Sequence, residues 1–560
     1  MFKVLRENYL IIFIMFLILW FYIWTVTAGR YEFPTDGYNY FSLMAESFLS
    51  GKLYFINYHA FDDISRFEGK DYLYFAPSAI VTLYLPYLLL TKSYLSDRIA
   101  ILVFTYGAFI WSACILIYIK NKYFSKCSQW MLFISLAVIG FANVSPFLLS
   151  LHKQWELSIA CGLFYLTGSI FWFCYSFKPL KPSLKRITLG SLFFGLAIGG
   201  RPNLIFAGII FPVILYKIWK NDYFKTIKEK IYMLIALFAP FVFCLIFLFA
   251  YNYFRFGNIF EFGLSYQLIG IPHRLVFFDF KSLPINFYLY LFQIHKVSDT
   301  FPYFFLKWHN IPNQYSSLVP YFNSETTFGM LNSVPYILLI FLSPVFYCVE
   351  NLLIYKEKLL KDNLFLLSLI KTALFLFVIL ITIKLFNNST IVKYLFFLPF
   401  DNDLIKIEPL LLYIAIFFVI QIAFSIKNKE KTNLTLNQPP TFPKIDFFIT
   451  LFAGFSVLFF LMLSRGATTR YIADFINYFI LASSIVWFYF DCLFTNKGLG
   501  KYGSRAIAII FCFLSIIYGI AYSIHAGCEQ LKNENLQGFK KIESIINPII
   551  EKFTLKNSSF

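Results

Sequence analysis

Apolar runs of about 20 residues recur from one end of this chain of 560 residues to the other. A helix needs roughly 20 such residues to cross the hydrocarbon core of a bilayer, where no water is present to bond the backbone amides. Runs of this length repeated along the whole chain imply an all-α polytopic membrane protein and exclude a soluble enzyme with one anchor. Composition agrees: 14% of the residues are charged and 59% hydrophobic, against about 25% charged in a soluble domain. The first run, Tyr9–Ala28, is long, and no small-x-small cleavage site follows it before Tyr31, so it reads as a retained span rather than a signal peptide.

The net charge of +18 sits in short Lys/Arg clusters between the runs. That distribution is a topology signal, and no nucleic-acid partner is expected. Lys3 and Arg6 precede the first run, which puts the N-terminus in the cytoplasm and residues 29–98 outside. Lys120, Lys122 and Lys126 must then lie inside, so Ile99–Ile119 crosses inward. The run 76–90, short and interrupted by Pro86, becomes a re-entrant or surface helix on the outer side. Trp130–Ser150 crosses out and Glu156–Phe177 crosses in. The stretch Ile187–Lys217 is basic at both ends, so it must cross twice, turning at Gly199-Gly200-Arg201-Pro202-Asn203. Ile231–Tyr253, Asn332–Leu353, Leu364–Leu385, Glu408–Phe424, Asp446–Ser464, Tyr471–Phe494 and Ala506–His525 complete about 13 spans. The expected organisation is a transmembrane domain over 1–525, with outer loops 29–98 and 254–331, and a short polar outer tail over 526–560. The nine cysteines are scattered and form no CxxC, so no disulfide framework is expected.

This topology sends the informative side chains to the outer face of the cytoplasmic membrane. The stretch Tyr31–Tyr54 sets Asp36 in a Thr-Asp-Gly-Tyr turn, ahead of an amphipathic helix with Phe41, Met44, Ala45 and Phe48 on one side, Asn39, Ser42 and Glu46 largely off it, and Gly51 as its stop. Asp36 has two roles open to it, general base toward an incoming hydroxyl or amine and N-cap of that helix. Glu156, in His152-Lys153-Gln154-Trp155-Glu156, reads either as an acid favoured at a helix N-terminus or as a second acid that shapes an acceptor site or holds a divalent cation. Arg201, at the tip of two short helices, and Arg470, in Arg465-Gly-Ala-Thr-Thr-Arg470-Tyr471, suit a phosphate or snorkel to the interface. Lys70 is a further phosphate candidate or a solvated loop lysine. Tyr266, His273 and Arg274 in the loop 254–331 would cover the site. The six histidines lack HxH or HExxH spacing, so no metal set is assigned. Walker A, GxSxG and GxGxxG patterns are absent. A transferase on this face would need an activated donor already in the membrane, and a lipid-phosphate-linked sugar meets that need.

Four stretches carry a family resemblance: Thr35-Asp36-Gly37-Tyr38-Asn39-Tyr40; Gly69-Lys70-Asp71-Tyr72-Leu73-Tyr74-Phe75-Ala76-Pro77 with Ser96-Asp97-Arg98; Tyr251-Asn252-Tyr253-Phe254-Arg255-Phe256-Gly257-Asn258 with Glu261-Phe262-Gly263 and Tyr266-Gln267-Leu268; and Arg470-Tyr471 with Asp474-Phe475. The chain resembles the GT-C superfamily of membrane glycosyltransferases, in particular the polyprenyl-phosphate-sugar-dependent enzymes similar to bacterial aminoarabinose transferases and protein mannosyltransferases. The resemblance implies inverting transfer of a sugar to a lipid, polysaccharide or protein acceptor of the envelope. Asp36 would match the family's catalytic acid, Glu156 a second acidic position and Lys70 a phosphate-contacting lysine, although the Lys-Pro-Pro pattern of close relatives is absent. A lipid-linked-sugar flippase or transporter, and a non-catalytic scaffold of the same fold, are the alternatives.

Overall fold

The first apolar run forms one continuous helix, α1 (Phe2–Val26). The computed structural model describes residues 2–34, 39–56, 63–177, 182–220, 226–268, 279–293, 296–297, 301–305, 322–354, 441–494 and 499–555. Asp36, His273 and Arg274 lie outside these residues, as do the expected spans Leu364–Leu385 and Glu408–Phe424.

The helix expected after Asp36 is α2 (Tyr40–Leu49). Its N-cap is Asn39, whose side-chain oxygen accepts from the Ser42 N–H at 3.0 Å. The cap role read for Asp36 therefore belongs to Asn39. Asn39 and Ser42, expected off the apolar face, are buried as well, because both donate to the Leu95 carbonyl. Glu46 stays exposed and accepts from the Tyr94 hydroxyl at 2.6 Å. Gly51 ends the helix at φ +68°, a left-handed conformation that glycine adopts without a Cβ penalty.

Strands β1 (Ser65–Phe67) and β2 (Lys70–Tyr72) form a small antiparallel hairpin. A π-helical turn, Ile80–Tyr84, leads into α3 (Leu85–Thr91), and both pack on α2. This piece is too short to cross a bilayer, and α3 buries no side chain. Next come α4 (Asp97–Tyr123), α5 (Gln129–Phe141), α6 (Ser145–Leu151), α7 (Gln154–Ser176) and α8 (Leu184–Ile198). A 3₁₀ stretch, Pro202–Ile209, continues into α9 (Ile210–Trp219), followed by α10 (Ile227–Phe256) and α11 (Leu283–Leu291). Strands β3 (Lys296–Val297), β4 (Phe304–Phe305) and β5 (Asn323–Ser324) precede α12 (Leu339–Ile354). After α13 (Lys444–Met462) and β6 (Gly466–Ala467) come a 3₁₀ turn at Thr469–Asp474, then α14 (Ile476–Leu493) and α15 (Leu499–Ala526). The segment read as a polar tail forms α16 (Cys528–Glu534) and α17 (Leu536–Leu555).

Nine helices among the described residues are long and apolar enough to cross a membrane, which makes this a mostly helical, multi-pass membrane protein. Two expected spans change shape. Trp130–Ser150 is α5 and α6, joined at residues 142–144. At that joint α15 passes so closely that a Cβ on Gly519 would stand 2.1 Å from the Phe141 carbonyl oxygen, and only a glycine fits. The span expected from Tyr471 begins at Ile476, because Tyr471 belongs to the 3₁₀ turn. The turn expected at Gly199–Asn203 forms between α8 and the Pro202–Trp219 stretch; that stretch is long and apolar enough to cross a membrane, whereas α8, at 15 residues, is shorter than a full span.

Burial orders the bundle. The apolar window of α14 is 94% buried, whereas that of α10 is 22% buried. α14 is thus central, and α10 presents Phe243, Ile246 and Phe247 outward, as a lipid-facing helix must. Cross-contacts define two ends. At one, Lys122 donates to the Phe177 carbonyl and Tyr123 to Asp446. At the other, Ser78 pairs with Gly199, Trp155 with Tyr74 and Arg98 with Glu534. The eight cysteines for which a state is described are all free.

Candidate functional site

The turn after α8 places Arg201 at the second of these ends. Gly162 of α7 lets the turn approach, since a Cβ there would stand 2.9 Å from Arg201 Cγ. Arg201 Nη2 donates to Asp474 Oδ2 at 2.9 Å, and Asn203 Nδ2 donates to the same oxygen at 2.9 Å. The Asp474 side chain is fully buried. The Arg201 guanidinium also lies 4.8 Å from the centre of the Tyr471 ring. Both partners of Arg201 come from one 3₁₀ turn, which the same pairing holds against α7 and the Pro202 stretch.

Arg470 lies on that turn beside Tyr471. It meets two carboxylates and one ring. Its Nη1 is 3.4 Å from Glu156 Oε1, its Nη2 donates to Glu325 Oε1, and its guanidinium lies 5.1 Å from the centre of the Trp155 ring. The second Glu325 oxygen accepts from Thr468 Oγ1 at 2.8 Å. Glu156 is all but fully buried at the start of α7, where the helix dipole favours an anion. Its Oε2 and the Nε of Arg470 are buried without a hydrogen-bond partner.

A relay extends the cluster sideways. Trp155 Nε1 donates to the Tyr74 hydroxyl at 2.7 Å, which donates to Asp63 Oδ2 at 2.7 Å. Gln267 Nε2 donates to the other Asp63 oxygen. Burial and the Asp63 carboxylate push the Tyr74 phenol well above its ordinary value, so it stays a donor. Arg255, at the end of α10, ties the neighbouring loop down by donating to the Leu73 carbonyl at 2.6 Å and to Asn252 at 2.8 Å.

Of the residues singled out from sequence, Arg201, Arg470 and Glu156 thus come together. Lys70 does not join them: it is exposed on β2, with its ammonium 5.1 Å from the centre of the Tyr54 ring. Tyr266 is half-buried against Phe67 and Phe256, 4.5 and 5.7 Å between ring centres. Asp63, Tyr74, Trp155, Thr468 and Glu325 were not singled out. Among the described residues no group of three His, Cys, Asp or Glu side chains is arranged to hold a metal ion. No family model, no curated protein and no solved structure matches the chain.

The C-terminal helices close on this same end. Arg98 grips Glu534 of α16 through two bonds, 2.8 and 2.7 Å, and Asn535 donates to the Ala28 carbonyl at 2.9 Å. His152, at the joint between α6 and α7, is pushed down to about 4 by burial and by the Arg98 guanidinium. The hydrogen bonds from Arg98 hold Glu534 below the usual carboxylate range. Both groups have depressed values in the folded protein. Their stabilisation is complete above the ordinary histidine value of about 6.5 and is lost as pH falls. Between about pH 6.5 and 4 the neutral His152 alone withdraws up to about 3 kcal/mol. Protonation of Glu534 then releases more, below the ordinary carboxylate value. Hydrogen exchange of 528–555 should therefore accelerate across that window in the wild type. It should do so less in a His152→Gln variant, and pH-independent exchange would refute the coupling.

Proposed function

We propose that the protein is a glycosyltransferase that moves a sugar from a polyprenyl-phosphate-linked donor to an envelope acceptor, on the outer face of the cytoplasmic membrane. In this reading the chain makes about 13 crossings from a cytoplasmic N-terminus, and α2 and α3 lie on the outer side. The observation that carries it is the convergence of Arg201, Arg470, Glu156 and Glu325 on one end of an apolar bundle. Charge at membrane depth is costly, and where it is kept it pairs with other charges or marks a ligand path. Lys122, Lys217 and Arg505 sit at the opposite end, the distribution expected if that end is cytoplasmic.

The chemistry is inverting displacement. An acceptor hydroxyl attacks the anomeric carbon while the bond to the phosphate oxygen breaks, and the lipid phosphate leaves. Asp36 takes the acceptor's proton, a contribution of about 10²–10⁴-fold for a placed general base. Arg470 stabilises the charge growing on the leaving phosphate, with Arg201 adding positive potential beside it. Glu156 holds Arg470 in place. Tyr266, His273, Arg274 and Lys70 belong to the loops that would bound the acceptor side. A lipid, polysaccharide or protein acceptor fits this scheme, and a divalent cation would assist only as a further clamp on the phosphate.

The deciding experiment offers radiolabelled polyprenyl-phosphate sugars and envelope extract to the protein in nanodiscs, with Asp36→Asn in parallel. Label should reach a product with the wild type and fall at least a hundredfold in the variant. Full transfer by the variant would remove Asp36 from the mechanism. Saturable donor binding without transfer would favour a flippase or scaffold.

A further inference from the structure

The geometry points to an anion cradle built by Arg470 and Thr468, in which the Glu325 carboxylate is an internal occupant that the phosphate oxygens of a ligand displace. This inference rests on the phosphate-handling role given to this end of the bundle, and it adds a gate to it.

Two carboxylates meet the one Arg470 guanidinium, and they differ in kind. Glu156 is 1% exposed and set on a long helix, whereas Glu325 is 35% exposed. One of them is fixed and the other reaches solvent. With Arg201 committed to Asp474, Arg470 is the arginine that Glu156 and Glu325 share. A phosphodiester monoanion brings to Arg470 the same single negative charge that the Glu325 carboxylate brings.

The bonds Glu325 makes are those a phosphate would make. One oxygen takes Arg470 Nη2 and the other takes Thr468 Oγ1. Arginine binds an oxyanion best through two parallel N–H bonds, and Glu325 uses a single Arg470 nitrogen. Nε of Arg470 is meanwhile buried with no partner. A tetrahedral anion with several oxygens fills such a set of donors more completely than a planar carboxylate.

The exchange requires a side chain to move and nothing more. The backbone around Glu325 is fastened independently. Strand β5 runs parallel to β6, Glu325 N–H donates to the Ala467 carbonyl at 2.9 Å, and Thr469 donates to the Thr326 carbonyl through both N–H and hydroxyl, at 3.0 and 2.8 Å. The strap stays in place while the Glu325 carboxylate swings aside. If it occupies the cradle nine-tenths of the time, removing it raises apparent affinity about tenfold, because a ligand binds only the open fraction.

The test measures equilibrium binding to the full chain in nanodiscs without acceptor, using a radiolabelled polyprenyl-phosphate sugar in the bilayer and, separately, radiolabelled inorganic phosphate. Glu325→Gln and Glu325→Ala should each bind the lipid phosphate about tenfold more tightly than wild type. Arg470→Gln should lose the binding. Tightening with both probes identifies the phosphate alone as the recognised group. Tightening with the lipid probe only adds recognition of the chain. Tightening with inorganic phosphate only keeps the cradle and overturns the membrane-donor function. Unchanged or weaker binding in both Glu325 variants overturns the cradle, because a merely structural salt bridge predicts that result. Tightened binding in a protein that transfers no sugar would leave the cradle standing and refute the transferase.

Discussion

Replacing Arg470 by Met should abolish sugar transfer, by on the order of 10²-fold or more, and destabilise the protein at the same time. The two losses have separate causes. Removal of one charged donor to a developing oxyanion costs about 10²–10³ in rate. Removal of the partner of Glu156, which is 1% exposed, strands a buried carboxylate, at about 3–5 kcal/mol. Glu325, more exposed and still bonded to Thr468, adds less. The double variant Arg470→Met/Glu156→Leu separates the effects. An apolar pair of similar volume is often as stable as a buried ion pair, so thermal stability should return while transfer does not. Arg470→Lys should fold and still transfer poorly, because one ammonium cannot span two carboxylates and lie on the Trp155 ring as a planar guanidinium does. Transfer by the double variant at the wild-type rate would remove Arg470 from the phosphate site.

How far the sequence reached is set by what each feature depends on. The long helices follow from runs of apolar residues, and each run carries its own signal. The turn at Gly199–Asn203 was legible too, as the break between α8 and the Pro202 stretch. A helix cap depends on one residue's backbone angles, so the cap assigned to Asp36 falls instead on Asn39, three positions on, for a reason no periodic pattern carries. The partners of the arginines were further out of reach. Asp474 lies 273 residues from Arg201, and Glu325 lies 145 residues from Arg470. Neither acid sits in a periodic pattern that would mark it. Asp63, Tyr74 and Trp155 form a relay only because the two ends of the β1–β2 hairpin meet the first turn of α7, and no local rule joins them. For α17 the signal was present: Phe539, Ile542, Ile546 and Ile549 fall at helical spacing, masked by interleaved charges.

Asp474→Ala should be strongly destabilising, on the scale of Arg470→Met. Its carboxylate is fully buried and accepts from both Arg201 and Asn203, so its removal leaves a half-buried guanidinium and an amide without their acceptor. Breaking a buried pair from one side costs about 3–5 kcal/mol. Asp474→Asn should be milder. Both donors converge on the one oxygen Oδ2, and an amide oxygen can still accept from them. What the D474N variant loses is the counter-charge, and that loss has a functional sign. Arg201 packs against Tyr471 on the turn that carries Arg470, so a guanidinium relieved of its carboxylate raises the positive potential where a donor phosphate would bind. Donor KM should therefore fall in D474N, with kcat unchanged or lower, because tighter binding of the ground state does not speed the chemical step. Thermal unfolding of the two variants separates charge from hydrogen bonding, and donor titration tests the electrostatic link. A donor KM that rises in D474N would show that Arg201 serves only to clamp the turn, and that Arg470 meets the phosphate alone.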